Sequence, residues 1–402
     1  MVLVGCFGQK ENIKRQSLIT HWRGDDNYGQ QLQAYALQRY LISQGYDAFL
    51  IRYFAPDELP AVDRFKWAKD FVRKCIFLFD KNRKAAYEQV QKYSELRAIN
   101  KEKNKKRQFR EFQDEYMRMT ECDYTSLEQL MAHPPQADAY IVGSDQVWRP
   151  SVLDSSAGAW YLQFGDKTTK RMSYAASIGR SITEEEENKF KSVLDSFDAV
   201  SLREANSVEY CHSIGMERAK LVLDPTLLAP AEIYRPFLSE SDELPYLFLY
   251  YLNVDSVEEL EWEQLQQYLQ KNGLQFKSVS SSGYLPAMDL IPEHKNQLLT
   301  IPEWLSSIHN SQAVVTTSFH GVALSIALHR PFVAILLNNA YSGGNNRITS
   351  LLKDLGLETR ILTSYTTISK IMDAQIDWND VEARLNEKRK ASAKFLQDAL
   401  KM

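Results

Sequence analysis

Apolar residues along this chain fall into two alternating rhythms. Short solid blocks have the length of buried strands, and between them lie stretches in which apolar side chains return every third or fourth position, the period of a helix. The first block covers residues 18–22, and a polar loop over 23–27 follows it. Leu32, Tyr35, Ala36, Leu37, Tyr40 and Leu41 then recur at helical spacing, which predicts a helix over 28–43 that Gly45 ends. Residues 48–53 predict the next strand, completing a βαβ unit whose crossover is right-handed in a parallel sheet.

The alternation continues. Strands are predicted at 139–142, 171–176, 198–201 and 220–223, the last running into Asp224-Pro225-Thr226, where proline stops regular pairing. A linker rich in Pro, Glu and Ser (229–245) gives way to a new strand at 246–252. Beyond it the pattern predicts helix 257–270, strand 275–279, helix 303–310, strand 313–317, helix 322–328 and strand 331–337. The composition shift marks a boundary between an N-terminal Rossmann-like domain, 1–236, and a C-terminal one, 237–377, with a closing amphipathic helix over 378–402. Alternating β and α in both halves make the fold class α/β, two doubly wound domains facing across a cleft. The total of 402 residues agrees with two cores rather than one.

Composition and charge refine this picture. An apolar fraction of 44% and a mean hydropathy of -0.40 belong to globular proteins, and no run reaches the roughly 18 apolar residues of a membrane span. The apolar opening precedes its first cation, Lys10, the reverse of a secretory leader, so no export is expected. Cys6, Cys75, Cys122 and Cys211 form no C-x-x-C pair, which argues against a zinc site or a disulfide framework and for a reducing cytoplasm. The net charge of -4 conceals a segregation: residues 64–118 hold 17 Lys+Arg against 8 Asp+Glu, or +9, leaving -13 for the rest. No glycine or proline interrupts 64–120, so an inserted basic helical arm is expected at about 60–120. Trp67, Phe71, Ile76, Phe77 and Phe79 lie among its cations; the arm reads either as packed on the body with a solvated rim or as a peripheral contact with a membrane. A pI near 6.1 and the lack of any recognition motif exclude a nucleic-acid binder.

Candidate chemistry clusters where strands hand over to helices. Strand 313–317 ends in Ser318-Phe319-His320-Gly321 and a helix follows at once, so backbone N–H groups and a positive helix end converge where His320 sits. A histidine there reads either as a group exchanging protons with a bound anion or as a turn-filling residue. Arg203, in Ser201-Leu-Arg-Glu204, reads as a bidentate anion ligand or as an arginine paired to Glu204. In the loop after the first strand Asn27 is a candidate N-cap, Gly29 permits close approach, and Asp25 and Asp26 read as bases toward hydroxyls or as helix-dipole partners. Asp145 and Trp148, in Val142-Gly-Ser-Asp-Gln-Val-Trp148, suggest a polar contact and either a stacking surface or core packing. Arg347 precedes a helix predicted at 349–355 and reads as a second anion ligand or a solvated helix-start residue. No P-loop, H-E-x-x-H or G-x-S-x-G pattern occurs.

In this order, Asn27-Tyr28-Gly29-Gln-Gln-Leu-Gln-Ala-Tyr-Ala-Leu37, Val142–Trp148, Tyr174-Ala-Ala-Ser-Ile-Gly179, Ser201–Glu204, Leu223-Asp-Pro-Thr-Leu-Leu228, Ser318–Gly321 and Asn346-Arg-Ile348 resemble the polysaccharide pyruvyl transferase family. The resemblance spans about 17–365 and implies a GT-B-like fold. It further implies a cytoplasmic bacterial enzyme that moves a pyruvyl group from phosphoenolpyruvate to a pair of sugar hydroxyls on a cell-surface glycan or its precursor, forming a ketal, with no metal or redox cofactor. His320 is then the general acid/base, and Arg203 a ligand of the donor's carboxylate or phosphate. Asp26 joins His320 and Arg203 as catalytic residues; Ser318, Phe319, Gly321 and Arg347 line the donor site; Asp26, Asn27, Tyr28, Asp145 and Trp148 line the acceptor site. Ser318 stands where some relatives place an arginine, which shifts donor binding onto Arg203 or Arg347. A nucleotide-sugar glycosyltransferase and a non-catalytic glycan-binding relative are the competing expectations.

Overall fold

A computed structural model describes residues 15–19, 27–53, 103–148, 158–179, 182–240, 244–254, 256–281, 291, 296–339 and 341–401. In the N-terminal domain it contains β1 (Arg15–Ile19), α1 (Tyr28–Ser43), β2 (Asp47–Tyr53), α2 (Phe109–Tyr116), β3 (Met119–Tyr124), α3 (Leu127–Ala132), β4 (Ala139–Val142) and β5 (Lys170–Ser173). Next come α4 (Glu184–Leu194), β6 (Ser201–Leu202), α5 (Ala205–Ser213), β7 (Lys220–Leu221) and the short α6 (Pro225–Leu228). Five strands pair in the order β3-β2-β1-β4-β5, all parallel. Parallel bridges from Met172 to Ala199 and from Ala176 to Leu202 carry the pairing on to the β6–β7 ribbon. The order therefore reverses between β1 and β4, and in an open parallel sheet a crevice opens at the carboxyl ends of the strands flanking such a reversal.

The C-terminal domain repeats the construction with β8 (Tyr246–Tyr251), α7 (Trp262–Asn272), β9 (Gln275–Ser280), α8 (Ile301–Asn310), β10 (Ala313–Thr316), α9 (Phe319–Ala327), β11 (Phe332–Ala334), α10 (Asn345–Leu355), α11 (Ile368–Asp373) and α12 (Trp378–Lys401). Its sheet runs β11-β10-β8-β9, all parallel, so it reverses between β8 and β10. Every residue of β4, β8 and β10 is buried, as expected where helices cover both faces of a sheet. The molecule is thus α/β with two Rossmann-like domains.

Several boundaries differ from those the sequence predicts, and each has a local cause. The first strand lies at Arg15–Ile19, its register set by pairing to both β2 and β4. α9 starts at Phe319 rather than at 322, because Ser318 adopts extended backbone as N-cap and Val322 N already donates to Ser318 O. α10 starts at Asn345, four residues early, since a 3-10 turn over Ser342–Gly344 feeds directly into it. The C-terminal end of the expected basic arm is not wholly helical: Met119–Tyr124 forms edge strand β3. The remainder of that arm, including Trp67, Phe71, Ile76, Phe77 and Phe79, lies outside the described residues.

One hydrophobic cluster runs continuously through both domains. It joins Tyr28, Leu32 and Tyr35 of α1 to Leu227 and Leu228 of α6, Trp304 and Leu305 of α8, and Phe319 and Val322 of α9. Tyr28 is its pin: fully buried, its ring stacks on Trp304 (centroids 4.9 Å apart) and its hydroxyl donates to Leu299 O at 2.6 Å. Burying such an aromatic contributes roughly 2–3 kcal/mol. α12 completes the join. Rather than standing in solvent, it buries Val381, Leu385, Leu396 and Leu400 and returns to the first domain, where Ser392 Oγ accepts from Leu223 N and Arg389 Nε donates to Leu227 O. Among the described residues no helix is long and apolar enough to cross a membrane.

Candidate active site

The two sheet reversals point at one another, and a cleft lies between them. Asn27 reaches it from the end of β1, Asp145 from β4, Leu252 and Asn253 from β8, and Thr317 to His320 from β10. The segment after β11 closes it with Leu337, Tyr341, Gly344, Asn345, Arg347 and Ile348. Of the residues singled out from sequence, Asn27, Asp145, Ser318, Phe319, His320 and Arg347 line this one space.

Three helix amino ends face it. Asn27 caps α1, its Oδ1 accepting from Gln30 N at 3.2 Å. α10 contributes Asn345 and Arg347. α9 differs from α1 in that its N-cap, Ser318, makes no side-chain capping bond, which leaves first-turn N–H groups for a ligand or water. Such an end is a ready anion site.

His320 occupies the second position of α9 and is buried. Its ring lies directly on α1, so closely that a Cβ at Gly29 would overlap Nδ1 and Cγ. Gly29 has φ in the ordinary helical range; here the missing side chain is what admits the imidazole. On the same helix a Cβ at Gly321 would overlap Thr316 Oγ1, so this glycine lets α9 seat tightly on β10 and does not face the cleft.

Behind the imidazole stands Asp224, a residue whose role sequence reasoning missed. It caps α6, and its buried carboxylate is held at both oxygens: Oδ1 accepts from Thr226 N (2.9 Å) and Thr226 Oγ1 (2.6 Å), Oδ2 from Ser144 Oγ (2.7 Å) and Arg203 Nη1 (2.8 Å). His320 Nε2 lies 3.7 Å from that same Oδ2 and has no hydrogen-bond partner among the described residues. Burial alone would raise the Asp224 carboxyl, but the imidazole, the Arg203 guanidinium and the Thr226 hydroxyl hold it well below the usual carboxylate range. The signal for this residue was present in Asp224-Pro225-Thr226, where proline at the first helical position and an Asp before it form an N-cap.

Arg203 is buried at the end of β6, paired to Glu204 as one of its two sequence readings expects, and it is not among the residues lining the cleft. It donates from Nε to Glu204 Oε1 (3.1 Å) and from Nη1 to Asp224 and Ser144, and its guanidinium lies 4.5 Å from the centroid of Phe319. Burial disfavours its charge, yet Glu204, Asp224 and Asp145 raise its pKa further. Nη2 stands 3.6 Å from Asp145 Oδ1 without a hydrogen bond. Arg347 Nη1 approaches the same Asp145 oxygen at 3.8 Å from the other domain. Asp145 therefore sits between two guanidiniums, in left-handed backbone at φ 81. Such a conformation costs a non-glycine residue about 1 kcal/mol and is common where sites are built.

Two expected acceptor residues are core residues instead. Trp148 is fully buried, parallel to Tyr161 and edge-on to Phe197, and its Nε1 donates to Trp160 O; it presents no face on which a sugar could stack. Tyr28 is the inter-domain pin described above, and its ring is enclosed by Trp304, Phe109 and Tyr250. Tyr28 directly follows the cleft residue Asn27 and Trp148 comes three residues after Asp145, and large aromatics there fill the seam. Asp25 and Asp26 lie outside the described residues. Among the described residues no group of His, Cys, Asp and Glu is disposed to hold a metal ion.

The family model for polysaccharide pyruvyl transferase matches residues 27–339, running from the cap of α1 to the segment that closes the cleft. The chain belongs to the polysaccharide pyruvyl transferase family. As a member of that family it is a transferase. A comparison with the curated proteins finds no match. Among solved structures it is similar to a UDP-N-acetylglucosamine 2-epimerase from Rickettsia bellii, with 11% identity and a TM-score of 0.54 over 97% of this chain and 98% of that one. A UDP-GlcNAc 2-epimerase from Methanocaldococcus jannaschii, solved with UDP-GlcNAc and UDP, aligns at 14% identity and TM-score 0.44 over 93% and 94%. An alpha-glucosyltransferase in complex with UDP and DNA aligns at 8% and 0.44 over 97% and 95%. At such identities the likeness speaks for the fold, and it places this pyruvyl transferase family member among GT-B-like two-domain proteins.

Proposed function

We propose that this transferase moves a pyruvyl group from phosphoenolpyruvate to two hydroxyls of a sugar in a cell-surface glycan or its precursor, with His320 as general acid/base. The observation carrying this reading is the placement of His320. It stands at the uncapped amino end of α9, in a cleft with Arg347, with the Asp224 carboxylate 3.7 Å from Nε2.

The chemistry needs these parts. A protonated His320 gives its proton to the methylene carbon of the enol phosphate, forming a methyl group and leaving positive charge on the adjacent carbon. One sugar hydroxyl adds to that carbon and returns its proton to the imidazole. The second hydroxyl displaces phosphate, its proton leaving with the phosphate, and the ketal closes; one donor and one diol become one ketal and one phosphate. Asp224, ionised and pinned by four hydrogen bonds, balances charge on the ring as protons come and go. Helix amides at α9 and the guanidinium of Arg347 hold the donor's anionic groups, with Arg203 behind the phenyl ring of Phe319.

Tryptophan fluorescence titration tests the donor. Quenching by phosphoenolpyruvate with no response to UDP- or GDP-sugars supports the reading. Quenching by a nucleotide-sugar with none by phosphoenolpyruvate overturns it in favour of glycosyl transfer.

A further inference from the structure

With Trp148 in the core, an apolar surface for an acceptor must lie elsewhere, and the cleft supplies one. Tyr341 is 52% exposed, and among the described residues it is the one large exposed hydrophobic side chain that also lines the cleft. Its backbone is firmly set. Tyr341 N donates to Asn339 Oδ1 (2.9 Å), while Asn339 Nδ2 donates to Asn253 O (2.8 Å) and to Glu259 (3.0 Å). Farther along, Asn345 grips both backbone groups of Leu337, accepting from N at 3.0 Å and donating to O at 2.8 Å. Two loops from the strands on either side of β10, after β8 and after β11, are thereby joined into one unit that carries Tyr341.

Asn253, which lines the same cleft, turns in left-handed backbone, φ 55, and its side-chain amide has no hydrogen-bond partner among the described residues. An exposed aromatic side chain in the same cleft as an amide able both to donate and to accept suits a pyranose ring, whose carbon-bound hydrogens pack on the ring while its hydroxyls take the amide. A loop whose backbone is already held spares the entropy of ordering that loop on binding.

We infer that Tyr341 is the stacking platform of the sugar acceptor and Asn253 its hydroxyl-reading partner, a subsite that rests on the transferase reading above and names where its acceptor lies. The test is saturation-transfer NMR on the full chain. Its probes are the methyl glycosides of galactose, glucose, mannose and N-acetylglucosamine, with uridine as competitor. At least one glycoside receives saturation on the carbon-bound hydrogens of one ring face; Tyr341→Phe preserves the signal and Tyr341→Ala lowers it about fivefold. Undiminished transfer in Tyr341→Ala overturns the inference, as does transfer to uridine and to none of the glycosides. Phosphoenolpyruvate quenching is measured on the same variants. Donor binding that is unchanged by Tyr341→Ala supports a separate acceptor subsite, whereas glycoside transfer without any donor response retires the pyruvyl donor and leaves the sugar subsite standing.

Discussion

His320 and Arg203, from opposite domains, meet on a single oxygen. Asp224 Oδ2 lies 2.8 Å from Arg203 Nη1 and 3.7 Å from His320 Nε2, so one buried carboxylate ties the imidazole of the second domain to the guanidinium of the first. The proposed proton carrier and the buried guanidinium thus share one carboxylate.

Replacing His320 by Ala removes the proposed proton carrier while leaving the amino end of α9 in place. Turnover should fall by about 10²- to 10⁴-fold with phosphoenolpyruvate affinity changed little, as read by phosphate release and by fluorescence titration.

Asp224→Asn tests the carboxylate as a charge. Its folded-state carboxyl is depressed, so the stability it contributes is complete above the unfolded value of about 3.9 and is lost as pH falls through the folded value. The variant should be less stable by about 3 to 5 kcal/mol at neutral pH, since buried cationic groups lose their partner. The gap between wild type and variant should narrow below about pH 4, which thermal melts across that range will show.

Gly29→Ala places a methyl group where the imidazole ring packs. Neither helix yields easily, so the ring must move. An expected drop in kcat of about 10²-fold with donor binding retained would show that α1 positions the imidazole. Unchanged kcat would remove that role.

Arg203→Lys exchanges a fork that reaches Asp224, Glu204 and Ser144 together for a single ammonium. Loss of one charged hydrogen bond predicts about 2 kcal/mol of lost stability together with weaker phosphoenolpyruvate binding. A variant with normal donor affinity and lowered stability assigns Arg203 to scaffolding alone.

Much of the fold was legible in the sequence because strand blocks and helical periods do not depend on distant partners: α1, β2 and β10 lie within a residue of where patterning puts them. What patterning misplaced depended on tertiary pairing, as with β1, or on an N-cap that only extended backbone reveals, as at Ser318. In the site, His320 and Arg347 were visible as chemistry-bearing residues at strand-to-helix turns. Asp224 was not, because its proline neighbour looked like a simple breaker, and its partners Ser144, Arg203 and His320 are distant in sequence. Trp148 misled for a related reason: alternation does not tell whether an aromatic one turn past a strand faces the cleft or the core.

Trp148→Ala separates those two faces. A core role predicts a loss of about 3–5 kcal/mol in stability with kcat/KM per folded molecule unchanged. A large rise in acceptor KM at preserved stability would restore it to the acceptor site.

The most direct measurement is the mass of the product formed in D2O from phosphoenolpyruvate and a pool of nucleotide-linked and lipid-linked sugars. Protonation of the enol carbon predicts one phosphate released per ketal and one solvent deuterium in the new methyl group, both formed about 10²- to 10⁴-fold more slowly in His320→Ala. Release of a nucleotide without phosphate from phosphoenolpyruvate, or a ketal methyl group without solvent deuterium, contradicts it.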